Sequence, residues 1–454
     1  MIFATLYSLL SVIRHDHFQS QGIDFSIYDQ ALWLYSRFER AFSTVTFLDN
    51  LADRFRPITI PLSALYWFTG NERVLLIFQS IILSAAVFPI WLLGRRYLPR
   101  ILAIMAAFLY VDFIGIQAAT VSEFHEMALL PFFLAWLFYF LEREKWRAYF
   151  TVLLICLAVR EHVGLTLGVL GLYVFFVKKN LKAALLTAVI AFSWSVLAIS
   201  IIMPKLGQEY YGTFVKTGDS LYEGIFGYLT NPFLTIKTFF VPFVKTQTIF
   251  WSFFSFGLVP FAYLALLPVI LFQFASRFFD LQHPIRWTLY YHYSLETGVF
   301  LAVATIYGLK LILAKLPRKR YIIGVLAILL LGAQTTSNII LHSPLKTLLK
   351  AQFYREEPWS WDTRFILSMV PPDATVASQN NLLPHLSHRR EIYLLPIPRN
   401  AQYIVLDLHP GQNDWNFYTD NLDLAKSQFK ELIRNGSYKP IASAGDAYIL
   451  MRRD

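Results

Sequence analysis

The residues of this chain that could do chemistry are acids, histidines and arginines gathered into a few short stretches. The first is Gly22-Ile23-Asp24-Phe25-Ser26-Ile27-Tyr28-Asp29-Gln30. From Ser26 on, Ile27, Ala31 and Leu34 with Tyr28, Leu32 and Tyr35 have the spacing of an amphipathic helix lying in an interface, with Ser26 as its N-cap. Asp24 then precedes the helix and Asp29 sits one turn inside it. A carboxylate held at a helix start is well placed as general base for a hydroxyl nucleophile. The plain alternative makes Asp24 a turn residue and Asp29 a solvated first-turn acid favoured by the helix dipole.

A second cluster is Ser122-Glu123-Phe124-His125-Glu126. Glu123, His125 and Glu126 could ligate a metal or clamp a phosphate with its counter-ion, or simply cap the next helix. His-x-x-His and His-Glu-x-x-His spacings are absent, so nothing supports a zinc-protease reading. In the third, Arg160-Glu161-His162, Arg160 suits a phosphate with Glu161 as partner, or a self-neutralising Arg–Glu pair. The fourth runs from Asp280 to Tyr293 and contains His283, Arg286, Tyr290, Tyr291 and His292. Such aromatic density fits an interface belt, or a sugar platform beside a lipid phosphate.

The elements that must position these clusters are membrane helices. Of 454 residues, 56% are hydrophobic and 15% charged, against roughly 25% charged in a soluble protein. Mean hydropathy is +0.47. A soluble fold of this length could not bury that much apolar surface, and disorder is excluded by the same numbers. The lone cysteine, Cys156, lies in an apolar run, which rules out a disulfide framework and a Cys-based metal site. Met1–Ile13 lacks a basic n-region and a cleavage site, so it reads as part of a first helix rather than a signal peptide.

Val74–Gly94, Ala183–Pro204 and Tyr321–Leu345 are uncharged and long enough to span. Ile101–Ser122 spans with one acid, Asp112, in its middle, the one residue that would suit a transporter relay. Glu126–Leu141, Tyr149–Val159 and Val163–Val177 are shorter. Thr246–Ser276 reads as a hairpin of two short helices turning near Pro260, and Thr297–Leu309 extends to Ala314. The total is about eleven transmembrane helices.

The net charge of +10 invites a nucleic-acid reading, but its placement argues against one. Arg95, Arg96 and Arg100 share one short loop, Arg143, Lys145 and Arg147 another, Lys178, Lys179 and Lys182 a third, and Lys315, Arg318, Lys319 and Arg320 a fourth. By the positive-inside rule these mark the cytoplasmic face. The N-terminus is then cytoplasmic and three pieces lie outside: the loop 14–73, a second loop 205–245 with Tyr211-Gly212, Phe226-Gly227 and Gly227-Tyr228, and everything after Leu345. The chain divides into a membrane domain, 1–345, and a small soluble extracytoplasmic α/β domain, 346–454. In the latter Ala374–Ser378, Tyr403–Leu408, Tyr438–Ser443 and Ala447–Met451 look like strands, the last two forming a hairpin around Gly445-Asp446. Leu422–Arg434 looks like a helix capped by Gly436.

Several ordered motifs resemble a family of bacterial and archaeal predicted membrane proteins of unknown function. They are the Gly22–Gln30 stretch, Asp53-x-Phe-x-Pro57, Phe124-His125-Glu126, Arg160-Glu161-His162, Tyr291-His292-Tyr293 and Asn380-Asn381-Leu382-Leu383-Pro384-His385-Leu386-Ser387-His388-Arg389. The resemblance covers nearly the whole chain. That family resembles the GT-C superfamily of multispanning glycosyltransferases, which take sugars from polyprenyl-phosphate carriers and carry an acid in the first outer loop. The resemblance implies a mainly α, GT-C-like membrane fold and inverting sugar transfer to an acceptor glycan, lipid or protein. Asp24 matches the acid best and Asp29 second. It also implies Arg160 and His292 as phosphate holders, with Glu161 and His162 beside them and Tyr293 near the sugar. Glu123, His125 and Glu126 would contact sugar or a divalent metal, although no Asp-x-Asp or Asp-Glu pair stands at Asp24. No other cofactor is implied. The alternative is a transporter or lipid-binding protein without catalysis.

Overall fold

The computed structural model describes residues 1–208, 221–316 and 320–453, the side chains of 221–225 and 320 excepted. Tyr211-Gly212, Arg318 and Lys319 lie outside the described residues. Every predicted apolar segment is helical. The helices are α1 (Ile2–Asp16), α3 (Arg73–Arg95), α4 (Arg100–Ala119), α5 (Leu130–Glu142), α6 (Trp146–Leu157), α7 (Val163–Lys178) and α8 (Leu181–Lys205), followed by α9 (Phe243–Ser255), α10 (Leu267–Phe278), α11 (Leu295–Lys315) and α12 (Arg320–Ile340). Among the described residues, five helices are long and apolar enough to cross a membrane by length and composition: α3, α4, α8, the stretch Pro284–Lys315 that includes α11, and Tyr321–Ile340 of α12. α12 stops at Ile340, short of the predicted Leu345.

The core is built around α11, in which every residue from Leu295 to Leu309 is buried. By contrast α8 and α12 expose Leu185, Val189, Val196, Val325, Ile328 and Leu329. Apolar side chains turned outward on spanning helices are what a hydrocarbon surround stabilises. α7 meets α8 through Gly164, Gly168 and Gly171; a Cβ on Gly171 would come within 3.0 Å of the Ala184 carbonyl oxygen. Small residues at such a seam let two backbones approach closely enough for dispersion to hold them.

Asp112 breaks α4 rather than lying in an unbroken helix, and caps its first half. Its carboxylate accepts from Asn338 Nδ2 at 2.7 Å, and its carbonyl accepts from Gln117 Nε2 at 2.6 Å. Gln334 donates to it as well. The acid is thus tied into a polar knot between α4 and α12.

α2 (Phe25–Tyr35) differs from expectation in two ways. Its N-cap is Asp24, and Ser26 lies buried in the first turn with its hydroxyl unpartnered among the described residues. Nor does it lie open on an interface: Phe25 to Leu32 are all buried. What covers it is the C-terminal region, α13 (Pro358–Ser368), α14 (Leu422–Arg434) and a five-stranded sheet of β1 (Val376–Ser378), β2 (Ile392–Leu394), β3 (Tyr403–Asp407), β4 (Tyr438–Ala444) and β5 (Ala447–Arg452).

The strand order is β2-β1-β3-β5-β4, with β1 parallel to both neighbours and the β3–β5 and β5–β4 pairs antiparallel. Gly445, at φ +51°, makes the turn of the predicted hairpin, and Gly436, at φ +76°, follows the end of α14. One face of the sheet packs on α14 through Ile404, Leu406, Ala425 and Leu450. The other shares a core with the first loop: Phe18, Ile27 and Val45 pack with Ile366, Val376, Leu383 and Ile449.

Candidate active site

The helices run so that the ends of α1, α4, α6 and α10 and the starts of α3, α5, α7 and α11 meet at one end of the bundle, where the motifs gather. The entry to α2 is set from the C-terminal region. Gly22 N donates to the Asn380 carbonyl at 2.6 Å and Ile23 N to Asn380 Oδ1 at 2.9 Å. A Cβ on Gly22 would lie 2.5 Å from Leu383 Cβ, so only glycine admits this approach. Asp24 caps α2 with its backbone but makes no side-chain capping bond. Its side chain is 51% exposed and faces His125 Nε2 at 3.8 Å.

Asp29 has a different environment. Its carboxylate is fully buried and accepts from Tyr66, from Ser387 Oγ at 2.6 Å and from His388 Nε2 at 3.2 Å. Burial pulls the His388 ring toward neutral, but the Asp29 charge outweighs it and holds its pKa above the ordinary value. With both oxygens committed, Asp29 fastens α2 to the C-terminal segment 387–388.

Glu123 and His125 are presented by a loop that Gln79 of α3 grips from three sides. Gln79 Nε2 donates to the Glu123 carbonyl at 2.7 Å and the Ala119 carbonyl at 3.0 Å, and Oε1 accepts from His125 N at 2.9 Å. This grip keeps Glu123 at φ +59°, a conformation few non-glycine residues adopt. Strain of that kind tends to persist where a side chain must be aimed. Burial, then the nearby Asp24 charge, push the Glu123 carboxyl up to about 8, with Arg14 opposing.

Because the unfolded chain releases that proton near 4.5 and the folded chain only near 8, folding stability falls as pH rises through that window. Glu123→Gln removes the effect. Its thermal stability relative to wild type should rise from pH 5 to about 8 and then level off. A constant difference across that range would show that Glu123 titrates normally.

Behind this pair lies a basic and aromatic wall. The His125 ring stacks on His292 with centroids 3.6 Å apart, and His292 packs on Tyr293 at 4.3 Å. His125 Nδ1 and His292 Nδ1 are buried without hydrogen-bond partners among the described residues. Arg160 donates through Nε to Glu126 Oε1 at 2.6 Å and through Nη2 to Tyr28 at 2.8 Å. Two of its five N–H donors are engaged in this way, and they brace the wall.

Glu161 Oε2 accepts from Phe55 N at 2.9 Å, and Ile58 N donates to the Ala158 carbonyl at 3.0 Å, stapling the first loop to the α6–α7 turn. Burial alone would raise the Glu161 carboxyl; His162 and Arg160 instead bring it down to about 2. His162, 31% exposed, lies 3.8 Å from Glu161 and 4.0 Å from Glu296.

Sequence reasoning passed over several residues here. Arg56 is 1% exposed, bonded to Asn50 Oδ1 at 2.8 Å and Asp53 Oδ2 at 2.9 Å, and lies over the Tyr28 ring. That contact gives Asp53 of the Asp53-x-Phe-x-Pro57 motif its role. Arg277, in the last turn of α10, is 2% exposed and donates through Nη1 to the Tyr293 carbonyl and Ser294 Oγ, both at 2.9 Å. Its Nε and Nη2 have no hydrogen-bond partner among the described residues. A buried guanidinium with spare donors is costly unless an anion comes to it.

A family model described as "Predicted membrane protein (DUF2079)" matches residues 14–450. The chain belongs to that family. No curated protein matches the sequence. Among solved structures, ArnT from Cupriavidus metallidurans in the apo state is 11% identical, covers 99% of this chain and 97% of its own, and superposes with a TM-score of 0.56. The structure of ArnT bound to undecaprenyl phosphate is 10% identical, with the same coverage and a TM-score of 0.53. At such identities the likeness concerns the fold: the chain has an ArnT-like GT-C fold and is a membrane-spanning protein.

Proposed function

We propose that this protein is a membrane glycosyltransferase that moves a sugar from a polyprenyl-phosphate carrier to an acceptor hydroxyl, with inversion at the anomeric carbon. The observation that carries the reading is Asp24: an accessible carboxylate at the start of α2, free of capping duty, beside His125 and Glu123. The ArnT-like fold supports it, since one ArnT structure holds undecaprenyl phosphate.

The step is a single displacement. The acceptor oxygen attacks the anomeric carbon as Asp24 takes its proton. The bond from that carbon to the phosphate oxygen breaks, and the lipid phosphate leaves with the electron pair. Arg277, with two spare buried donors, and His292 are our candidates for stabilising the leaving charge in a partly dry site. Glu123, His125 and Tyr293 line the sugar's side, and Arg160, Glu126, Glu161 and His162 hold the wall in place. A carrier keeps its tail in lipid and its head at the interface, so the site belongs at a bundle end, as this cluster does. The positive-inside reading of the basic loops supports an extracytoplasmic position for that end at the plasma membrane, with the unit 346–454 over it as a soluble domain. There the contacts from Asn380, Ser387 and His388 give that unit the role of holding α2, and so Asp24, in place.

A transporter reading would need a mobile midplane acid, and Asp112 is tied by Asn338 and Gln334. Purified protein should bind polyprenyl-phosphate sugars. Asp24→Asn should keep that binding, and Arg277→Gln should weaken it by roughly tenfold, the value of a lost charge-assisted contact. Failure of a folded wild type to bind any lipid-linked sugar would remove the reading.

A further inference from the structure

Of the stretch Arg14-His15-Asp16-His17, Arg14 faces Glu123 in the cluster around Asp24, whereas His15 points to a second site. His15, in the last turn of α1, is fully buried. Its Nε2 lies 3.2 Å from Glu72 Oε1, just ahead of α3, and its Nδ1 lies 3.2 Å from Ser20 Oγ. The ring of His385, from the C-terminal segment that holds α2, lies 4.3 Å from the His15 ring, centroid to centroid. His385 Nε2 is itself buried and has no hydrogen-bond partner among the described residues. One donor atom from each of His15, Glu72 and His385 falls within 4.8 Å of the other two.

We propose that His15, Glu72 and His385 form a structural site for a divalent transition metal, zinc by its donor chemistry, that fastens the C-terminal region to the ends of α1 and α3. Two imidazole nitrogens and a carboxylate oxygen are a donor set that suits zinc better than magnesium or calcium. Tetrahedral ligands at about 2.0–2.1 Å from zinc lie about 3.4 Å apart, so the three side chains need to draw together by little more than an ångström. Ser20 on His15 Nδ1 supplies the outer hydrogen bond that fixes a ligating ring's orientation and leaves Nε2 to the metal. His385 Nε2 gains the partner it otherwise lacks.

Arg73 also donates to Glu72 Oε1 at 3.1 Å and to Asp16 Oδ1 at 2.6 Å, so the metal shares the carboxylate with a guanidinium whose charge Asp16 offsets. The site shares no residue with the Asp24 cluster. It stands whether or not the protein transfers sugar. Its consequence is mechanical: His385 lies between Asn380, which sets the entry to α2, and Ser387, which holds Asp29. A metal there ties that segment to the membrane helices.

The test uses the full chain in detergent, stripped with a chelator and titrated with zinc. Metal content after gel filtration should reach one zinc per chain, with a rise in unfolding temperature. Co2+ in place of zinc should give the visible absorption of a four-coordinate nitrogen–oxygen site. His385→Ala and the near-isosteric Glu72→Gln should each weaken zinc binding by roughly 10–100-fold or more, the range seen even for outer-shell partners. Both should lose the thermal shift, while His342→Ala, at an exposed histidine, should behave as wild type. A folded wild type that keeps no zinc overturns the proposal. So does equal binding by wild type and Glu72→Gln, whose conservative shape separates loss of a ligand from loss of the fold.

Discussion

Asp24→Asn should slow sugar transfer by roughly 10²–10⁴-fold, the range for losing a positioned general base. Donor binding and thermal stability should change little, because the carboxylate makes no capping bond and is 51% exposed. Surface substitutions of that kind usually move stability by no more than about 0.5 kcal/mol. Asp29→Asn should behave in the opposite way. It empties a buried carboxylate that Tyr66, Ser387 and His388 all address, so its damage should appear first in stability. Initial rates and unfolding temperatures measured on the two variants side by side separate the acid that reacts from the acid that positions. Equal rate losses with equal destabilisation would mean that Asp24 acts only through structure.

The second large effect is expected at Arg160. Its partner Glu126 is fully buried, and Glu126 Oε2 has no hydrogen bond among the described residues. Arg160→Met removes the ion-pair partner of that buried carboxylate and leaves Arg56 as the guanidinium acting on it, so the loss should be up to about 3–5 kcal/mol, as for other buried pairs broken on one side. Adding Glu126→Gln to Arg160→Met should restore much of that stability, since the stranded charge goes with it. Unfolding midpoints of the two single variants and the double variant in detergent test this directly. A double variant as unstable as the sum of the singles would show that the pair is not the brace described here.

The membrane helices are legible because long apolar runs have few other fates, and the tail helix Leu422–Arg434 because its apolar stripe, Leu422, Ala425, Phe429, Leu432 and Ile433, repeats at helical spacing. α13 gives no helical signal in the sequence because its buried face consists of Ser360, Thr363 and Ile366, while Trp361 and Phe365 are exposed. β2 is three residues long and sits at a sheet edge, too short for an alternating pattern to register. At the site, local spacing could offer Asp24 and Asp29 but not choose between them. The choice is made by Ser387 and His388, more than 350 positions away in the chain. Arg277 escaped notice for a related reason: one cation in the last turn of an apolar helix reads as a helix end, and only the fold shows its donors spare and buried.

The reading turns on whether this cluster performs a displacement at an anomeric carbon. The most direct measurement incubates the purified wild-type protein with polyprenyl-phosphate sugars and candidate acceptors, and determines the product's anomeric configuration by NMR. The account predicts product with the configuration opposite to that of the donor, and its formation slowed by roughly 10²-fold or more with Asp24→Asn. Retention of configuration, or undiminished transfer by Asp24→Asn, would contradict it.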